Sequence, residues 1–333
     1  MNILCLVDWP VANRWLWEYL PQSRDQVDFL FIRQPADKYS GYGKLFYYYP
    51  QYGWLGLQAL PRMKKYDVIV TWEGKNGVPL AFLRSLFGIH TPPMLVINFV
   101  MKGQVVLDHL WFTRFAMQSV DCIACVSRKE IDHYSAELKL PRSRFVQLLT
   151  FHPDHHRQVW TESEDYILAA GRSHRDYGTF FRAMEGLPIK AVVNARAFNI
   201  KDLKIPENVS CNPFLPPGDF FSLVRRMRFA VLPLQPAKHA SGETYLLEAF
   251  AAGKPVIATE TFSMVEFIQP GENGFLVPPG DAGALREKIL YLYHNPSETL
   301  RMGQEARRFY EQNCSFPVTA IKVDRIVHQM VSS

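Results

Sequence analysis

The stretch Ser241-Gly-Glu-Thr-Tyr-Leu-Leu-Glu-Ala-Phe-Ala-Ala-Gly-Lys-Pro-Val-Ile-Ala-Thr259, with its continuation to Asp281, decides the fold. It reads as a loop, a short apolar helix over Tyr245–Ala252, a Gly253-Lys254-Pro255 stop and a buried strand Val256–Thr259. A second small helix and the turn Gly271-Glu272-Asn273-Gly274 follow. A loop entering a helix N-terminus presents unpaired backbone N–H groups and the positive end of the helix dipole, which together hold a phosphate without a metal. Ser241, Gly242, Thr244 and Tyr245 stand at that entrance. Glu248 follows one turn in, and a carboxylate there suits the paired hydroxyls of a ribose. The combination suggests a nucleoside diphosphate as ligand.

Outward from this block, apolar runs alternate with amphipathic stretches along the whole chain. Strands are expected at Ile3–Val7, Val27–Ile32, Val68–Thr71, Met94–Phe99, Cys122–Val126 and Phe145–Leu149, with helices over Val78–Phe87, Leu107–Ser119 and Lys129–Leu138. A second series runs through Tyr166–Ala170, Ala191–Asn194, Val209–Pro213, Ala230–Pro233 and Val256–Ala258. Two successive series of parallel strands with covering helices imply an α/β chain of two doubly wound domains, joined by a linker over Thr150–Asp165. Within the linker, His152-Pro-Asp-His155-His156 supplies metal-ligand atoms, but no flanking helix or strand fixes their geometry, and no metal is expected there.

The second series opens on Tyr166-Ile-Leu-Ala-Ala-Gly171-Arg172-Ser-His-Arg175-Asp176-Tyr177-Gly178, a strand, a tight turn and a helix Thr179–Met184. Arg172 and Arg175 in that turn carry guanidiniums that can hydrogen-bond a phosphate group bidentately.

At 333 residues with 48% hydrophobic and 21% charged, the chain has the composition of a globular two-domain enzyme. No apolar run approaches the roughly 20 residues that span a bilayer, and the N-terminus reads as a buried strand rather than a signal peptide. Five scattered cysteines exclude a disulfide framework and point to the cytosol, and Cys122 and Cys125 read as core packing within a strand. The net charge of +5 lies in residues 1–157, which hold 18 Lys and Arg against 13 Asp and Glu. That half carries the aromatic run from Lys44 to Trp54 beside Arg62, Lys64 and Lys65, which suits either a buried aromatic helix or peripheral contact with an anionic membrane face. No nucleic-acid module is present in the sequence, and no nucleic-acid partner is expected.

The Ser241 to Asp281 block resembles the donor-binding segment of retaining GT-B glycosyltransferases of the large family 4. That segment has the form E-G-F-G-L-x-x-L-E-A-M-A-x-G-K-P-V-I-A, followed by G-x-x-E and N-G-x-L-V-x-P-G-D. Leu247, Glu248, Ala249, Gly253, Lys254, Pro255, Val256, Glu266, Asn273, Gly274, Leu276, Val277, Pro279, Gly280 and Asp281 match it. The Gly171-Arg172 turn resembles the family's G-R segment, with Arg175 in the place of its lysine.

The resemblance implies two Rossmann-like domains facing a central cleft. An acceptor domain would span 1–155, joined by a crossing helix at about 316–330, and a nucleotide-sugar domain 156–315. It further implies retaining transfer of a hexose-type sugar from a nucleotide-diphosphate sugar to a glycan or lipid-linked acceptor, with no cofactor beyond the donor and no metal. Three departures stand out. Ala240 occupies the place of the family's first glutamate, where Ser241, Gly242 and Glu243 offer substitute groups. Asn98 occupies the place of its histidine, with Glu73 or Asp8 as alternative N-terminal carboxylates. The N-terminal Gly-Gly loop is replaced by Asp8-Trp9-Pro-Val-Ala-Asn-Arg-Trp15. The catalytic candidates are Arg172, Arg175, Glu243 and Asn98, and the donor-binding ones Gly171, Ser241, Gly242, Thr244, Tyr245 and Glu248. The alternative reading is a catalytically inactive nucleotide-sugar-binding or scaffold protein of the same fold.

Overall fold

The computed structural model describes residues 1–11, 13–32, 49–101, 110–212 and 215–332. The chain divides into two compact units, Met1–Leu149 with Thr319–Ser333, and Thr150–Val318. Unit 1 contains a parallel sheet of β1 (Asn2–Val7), β2 (Gln26–Phe31), β3 (Val68–Trp72), β4 (Met94–Ile97), β5 (Cys122–Cys125) and β6 (Phe145–Gln147), in the order β2-β1-β3-β4-β5-β6. Residues Ile3 to Val7, Val68 to Val70, Met94 to Ile97 and Cys122 to Cys125 are all buried, as expected where helices cover both faces of a parallel sheet. Their side chains alternate between the two faces, so both faces must be apolar, and the strands read in the sequence as continuous hydrophobic runs.

Four helices of unit 1 are α1 (Tyr49–Ala59), α2 (Glu73–Leu86), α3 (Leu110–Met117) and α4 (Arg128–Leu138). A capping box starts α4: Ser127 Oγ accepts from the Glu130 N–H at 3.1 Å, and Glu130 Oε2 accepts from the Ser127 N–H at 3.1 Å. Helix α2 begins five residues before its expected start at Val78, in a stretch that contains Gly74 and Gly77. Those small residues serve packing. A Cβ on Gly77 would lie 2.5 Å from Thr71 Oγ1, and one on Gly56 of α1 would lie 3.0 Å from the Leu80 backbone nitrogen, so the helix can sit close to β3 and α1. Cys122 and Cys125 lie in β5, buried, and burial pushes the Cys122 thiol up to about 12. Of the aromatic run, residues 44–48 lie outside the described residues. In α1 Tyr52 and Leu55 are buried, while Trp54 and Leu57 are exposed.

Unit 2 repeats the plan with β7 (Ile167–Ala170), β8 (Ala191–Asn194), β9 (Val209–Asn212), β10 (Ala230–Leu232), β11 (Val256–Thr259) and β12 (Gly274–Val277), in the order β12-β11-β10-β7-β8-β9. Its helices are α5 (Tyr177–Met184), the short α6 (Ala197–Ile200), α7 (Pro217–Arg226), α8 (Glu243–Ala251), α9 (Ala282–His294) and α10 (Pro296–Asn313). Asp176 caps α5 by accepting from the Thr179 N–H at 3.0 Å, and Asp281 caps α9 through the Ala284 N–H at 2.8 Å. Gly253 ends α8 at φ 72°, and α10 crosses this turn so closely that a Cβ on Gly303 would overlap the Gly253 carbonyl oxygen. The last helix, α11 (Phe316–Ser332), enters unit 1 at Thr319, where its Asp324 accepts from Trp17 Nε1 at 3.3 Å. Among the described residues no helix is long and apolar enough to cross a membrane.

Candidate active site

Both sheets have a topological switch point, where successive connections leave a strand in opposite directions and open a crevice at the carboxyl ends of two neighbours. In unit 2 it lies between β7 and β10, because β8 and β9 extend the sheet from one edge of β7 while β10, β11 and β12 extend it from the other. The loops leaving these two strands are the Gly171–Asp176 turn and the segment running into α8. They are joined by main-chain hydrogen bonds: the Asp176 N–H donates to the Pro233 carbonyl at 3.0 Å and the Gln235 N–H to that of His174 at 2.8 Å. Ser241 Oγ reaches the Ser173 carbonyl at 3.4 Å, and the His174 and His239 rings meet edge to face.

Arg175 lies inside this junction. Its Nε donates to the Ala170 carbonyl at 2.8 Å and its Nη1 to that of Ser173 at 2.7 Å. The guanidinium occupies the space where a Cβ on Gly171 would be, and Gly171 has φ 113°, so glycine is required twice over. Burial lowers the Arg175 pKa, opposed by Tyr177 and by the Glu243 carboxylate. Glu243 opens α8 and is itself buried, and burial pushes its carboxyl above the usual range against the pull of Ser263, the local backbone and Arg175. The buried Arg175 guanidinium, beside a helix N-terminus begun by Gly242 at φ 103°, makes a positive corner.

The structure thus brings together Gly171, Arg175, Ser241, Gly242 and Glu243. Arg172 is exposed on the Gly171–Asp176 turn and Thr244 is exposed in the first turn of α8, and the Arg172 carbonyl accepts from Asn199 at 2.8 Å. Tyr245 requires a correction. It is buried and its hydroxyl donates to the Leu168 carbonyl at 2.6 Å, so it braces β7 and offers no group to a donor.

Glu248 departs from the open carboxylate that the sequence suggests. It is 1% exposed, and the linker folds three imidazoles onto it: His152 Nε2 at 2.5 Å and His155 Nδ1 at 3.1 Å from Oε2, and His156 Nε2 at 2.7 Å from Oε1. Arg225 Nε donates to His156 Nδ1 at 3.1 Å, which fixes the proton of that ring on Nε2, facing the carboxylate. Burial alone would raise the Glu248 carboxyl, but His152 and His156 overturn that and pull it down to about 2. Asp154 anchors the linker through Arg307, with Nη2 2.6 Å from Oδ2, and accepts from the N–H groups of His156 and Arg157. Nothing near the histidines in sequence marks Glu248 as their partner, since it lies 96 residues beyond His152.

Unit 1 has its switch point between β1 and β3. There Asp8 and Glu73 share the Lys75 ammonium, at 2.6 and 2.9 Å. Burial would lower the Lys75 pKa, but the two carboxylates hold it above the ordinary value. Trp9, Trp15 and Trp72 pack edge to face at 5.7 to 6.0 Å beside them. Asn98 follows β4 at φ 53°, half-buried. The lysine and the three tryptophans of this site carry no motif that sequence reading could use.

Residues 196–309 match the family model described as Glycosyl transferases group 1. The putative glycosyltransferase EpsD of Bacillus subtilis (strain 168) is 44% identical over 63 residues, which cover 19% of this chain and 16% of EpsD. Among solved structures, the chain is similar to sucrose-phosphate synthase from Thermosynechococcus elongatus, with a TM-score of 0.77 and 17% identity over 99% of both chains. It is also similar to Anabaena Alr3699/HepE in complex with UDP, with a TM-score of 0.66 and 13% identity over 99% of this chain and 100% of that one. These likenesses show the fold, GT-B, built of two Rossmann-like domains. The chain covers less than two thirds of the length of the curated relatives it matches.

Proposed function

We propose that this protein is a retaining glycosyltransferase that moves a hexose-type sugar from a nucleotide-diphosphate sugar to a glycan or lipid-linked acceptor. The observation that carries this reading is the positive corner at the β7/β10 switch point, where the buried Arg175 meets the N-terminus of α8. A diphosphate suits this corner, and Arg172 on the same turn extends the clamp, so the leaving group needs no divalent ion. Glu248 takes the ribose diol by giving up its contact with His155, the longest of its three and the most exposed of the histidines. The match over residues 196–309 and the UDP in the complex of the Anabaena protein support a nucleotide sugar as donor.

Unit 1 then takes the acceptor, at the crevice lined by Asp8, Glu73, Lys75 and the tryptophans, with Asn98 orienting its hydroxyl. The exposed Trp54, Leu57 and Phe87, with Lys64 and Lys65, suit an acceptor presented at a lipid surface. Retention is supported by the shortage of bases among the described residues: inversion needs a general base opposite the leaving group, yet Asp8 and Glu73 are paired with Lys75 and Asn98 is an amide. Front-side attack, with the departing phosphate oxygen accepting the acceptor's proton, needs no such base. Proton NMR of the first product formed from an α-linked donor tests this, an α-linked product being expected. A β-linked product would remove the retaining mechanism.

A further inference from the structure

We propose that His152 Nε2, His155 Nδ1 and Glu248 Oε2 form a binding site for a transition-metal dication, with zinc(II) the best match to two imidazoles and one carboxylate. The three atoms lie within 4.8 Å of one another and approach from two separate elements, α8 and the linker. A tetrahedral zinc site with bonds of about 2.0–2.1 Å spaces its ligand atoms about 3.3 Å apart, so the His152 ring has to withdraw from Oε2 by less than about 1 Å.

The surroundings hold the ligands as an outer shell does in metal sites. His156 Nε2, with Arg225 behind it, lies 2.7 Å from Oε1, while Oε2 meets the other two rings. The His155 ring stacks on Phe221 at 4.1 Å and its carbonyl accepts from Arg225 Nη2 at 2.9 Å. His152 is tied at both backbone groups: its N–H donates to the Cys314 carbonyl at 3.1 Å and its carbonyl accepts from the Tyr310 hydroxyl at 2.8 Å. The side chains of His152 and His155 are 16% and 31% exposed while that of Glu248 is 2% exposed, so an ion enters from the imidazole side and water completes its coordination. Each ring coordinates as neutral imidazole with its proton on the other nitrogen, and any proton in excess of that passes to solvent.

The inference rests on ligand geometry and not on the glycosyltransferase reading, and zinc and a ribose would compete for Glu248, so its test contains zinc alone and no nucleotide. The full chain, carrying no polyhistidine tag, is freed of metal with a chelator and titrated with zinc chloride by calorimetry, with cobalt(II) absorption as a second readout. One zinc per chain is expected, with the visible bands of four-coordinate cobalt. His152→Gln and His155→Gln keep a hydrogen-bond donor for Glu248 but lose the ligand nitrogen, and each should weaken zinc binding by about tenfold or more. His328→Gln, in the separate Asp25, Asp324 and His328 group, should bind as the native chain does. A native chain that binds no zinc, or His152→Gln and His155→Gln variants that bind it unchanged, would overturn the proposal.

Discussion

Glu248→Ala is expected to lose on the order of 3 kcal/mol of folding stability at neutral pH, the energy equivalent of a carboxyl drawn from 4.5 to about 2 by its imidazole partners. The substitution also removes the carboxylate oxygen that lies 2.7 Å from Nε2 of the fully buried His156, whose other ring nitrogen accepts from Arg225. The pH dependence follows from the same shift. A carboxyl whose folded pKa is depressed binds fewer protons in the native state, so its contribution is complete above about 4.5 and disappears as the pH falls toward 2. Urea unfolding of the native chain and the variant should therefore differ at pH 7 and converge in acid. Equal midpoints at pH 7 would show that the histidine clasp contributes nothing to folding. Binding of a nucleoside diphosphate should weaken in parallel, by about 1.5–3 kcal/mol if Glu248 also takes the ribose.

The second large effect is expected at Arg175. Replacing it by alanine removes the cation that faces the proposed leaving group, and loss of one such preorganised donor lowers turnover by about 10²–10³-fold. The fall should appear in kcat more than in KM, because the charge it stabilises grows as the sugar–phosphate bond breaks. Arg175 also braces the turn through the Ala170 and Ser173 carbonyls, so Arg175→Lys separates the two roles. Lysine keeps the charge but not the planar fork, and should restore part of the turnover while leaving the turn weakened. Native kcat in Arg175→Ala would exclude the residue from the chemistry.

The sequence revealed most where one physical cause acts locally. Strands such as Ile3–Val7, Met94–Ile97 and Val256–Ala258 are apolar at every position because helices cover both faces of a parallel sheet, and they are legible for that reason. The loop before α8 was legible as the approach to a helix N-terminus because a glycine there is a backbone feature. Legibility failed where one residue type serves two purposes. Gly74 and Gly77 precede the expected helix start at Val78 but lie within α2, whose close approach to β3 leaves no room for a Cβ at Gly77. Tyr245, at the mouth of the motif, reads as a ligand contact but braces Leu168. Groups that meet only in three dimensions left no trace in the sequence. The linker histidines lacked a fixed geometry until the fold set Glu248 beneath them, and Lys75 was invisible as the partner of Asp8, 67 residues earlier.

The central claim is that the corner formed by the Gly171–Asp176 turn and the start of α8 holds a nucleoside diphosphate. Calorimetric titration of the native chain with UDP, GDP and ADP, in the presence of a chelator, tests it most directly. One of the three should bind at one site per chain, and Arg175→Ala should abolish most of that affinity. Binding of none of the three, or binding that Arg175→Ala leaves unchanged, would contradict the account.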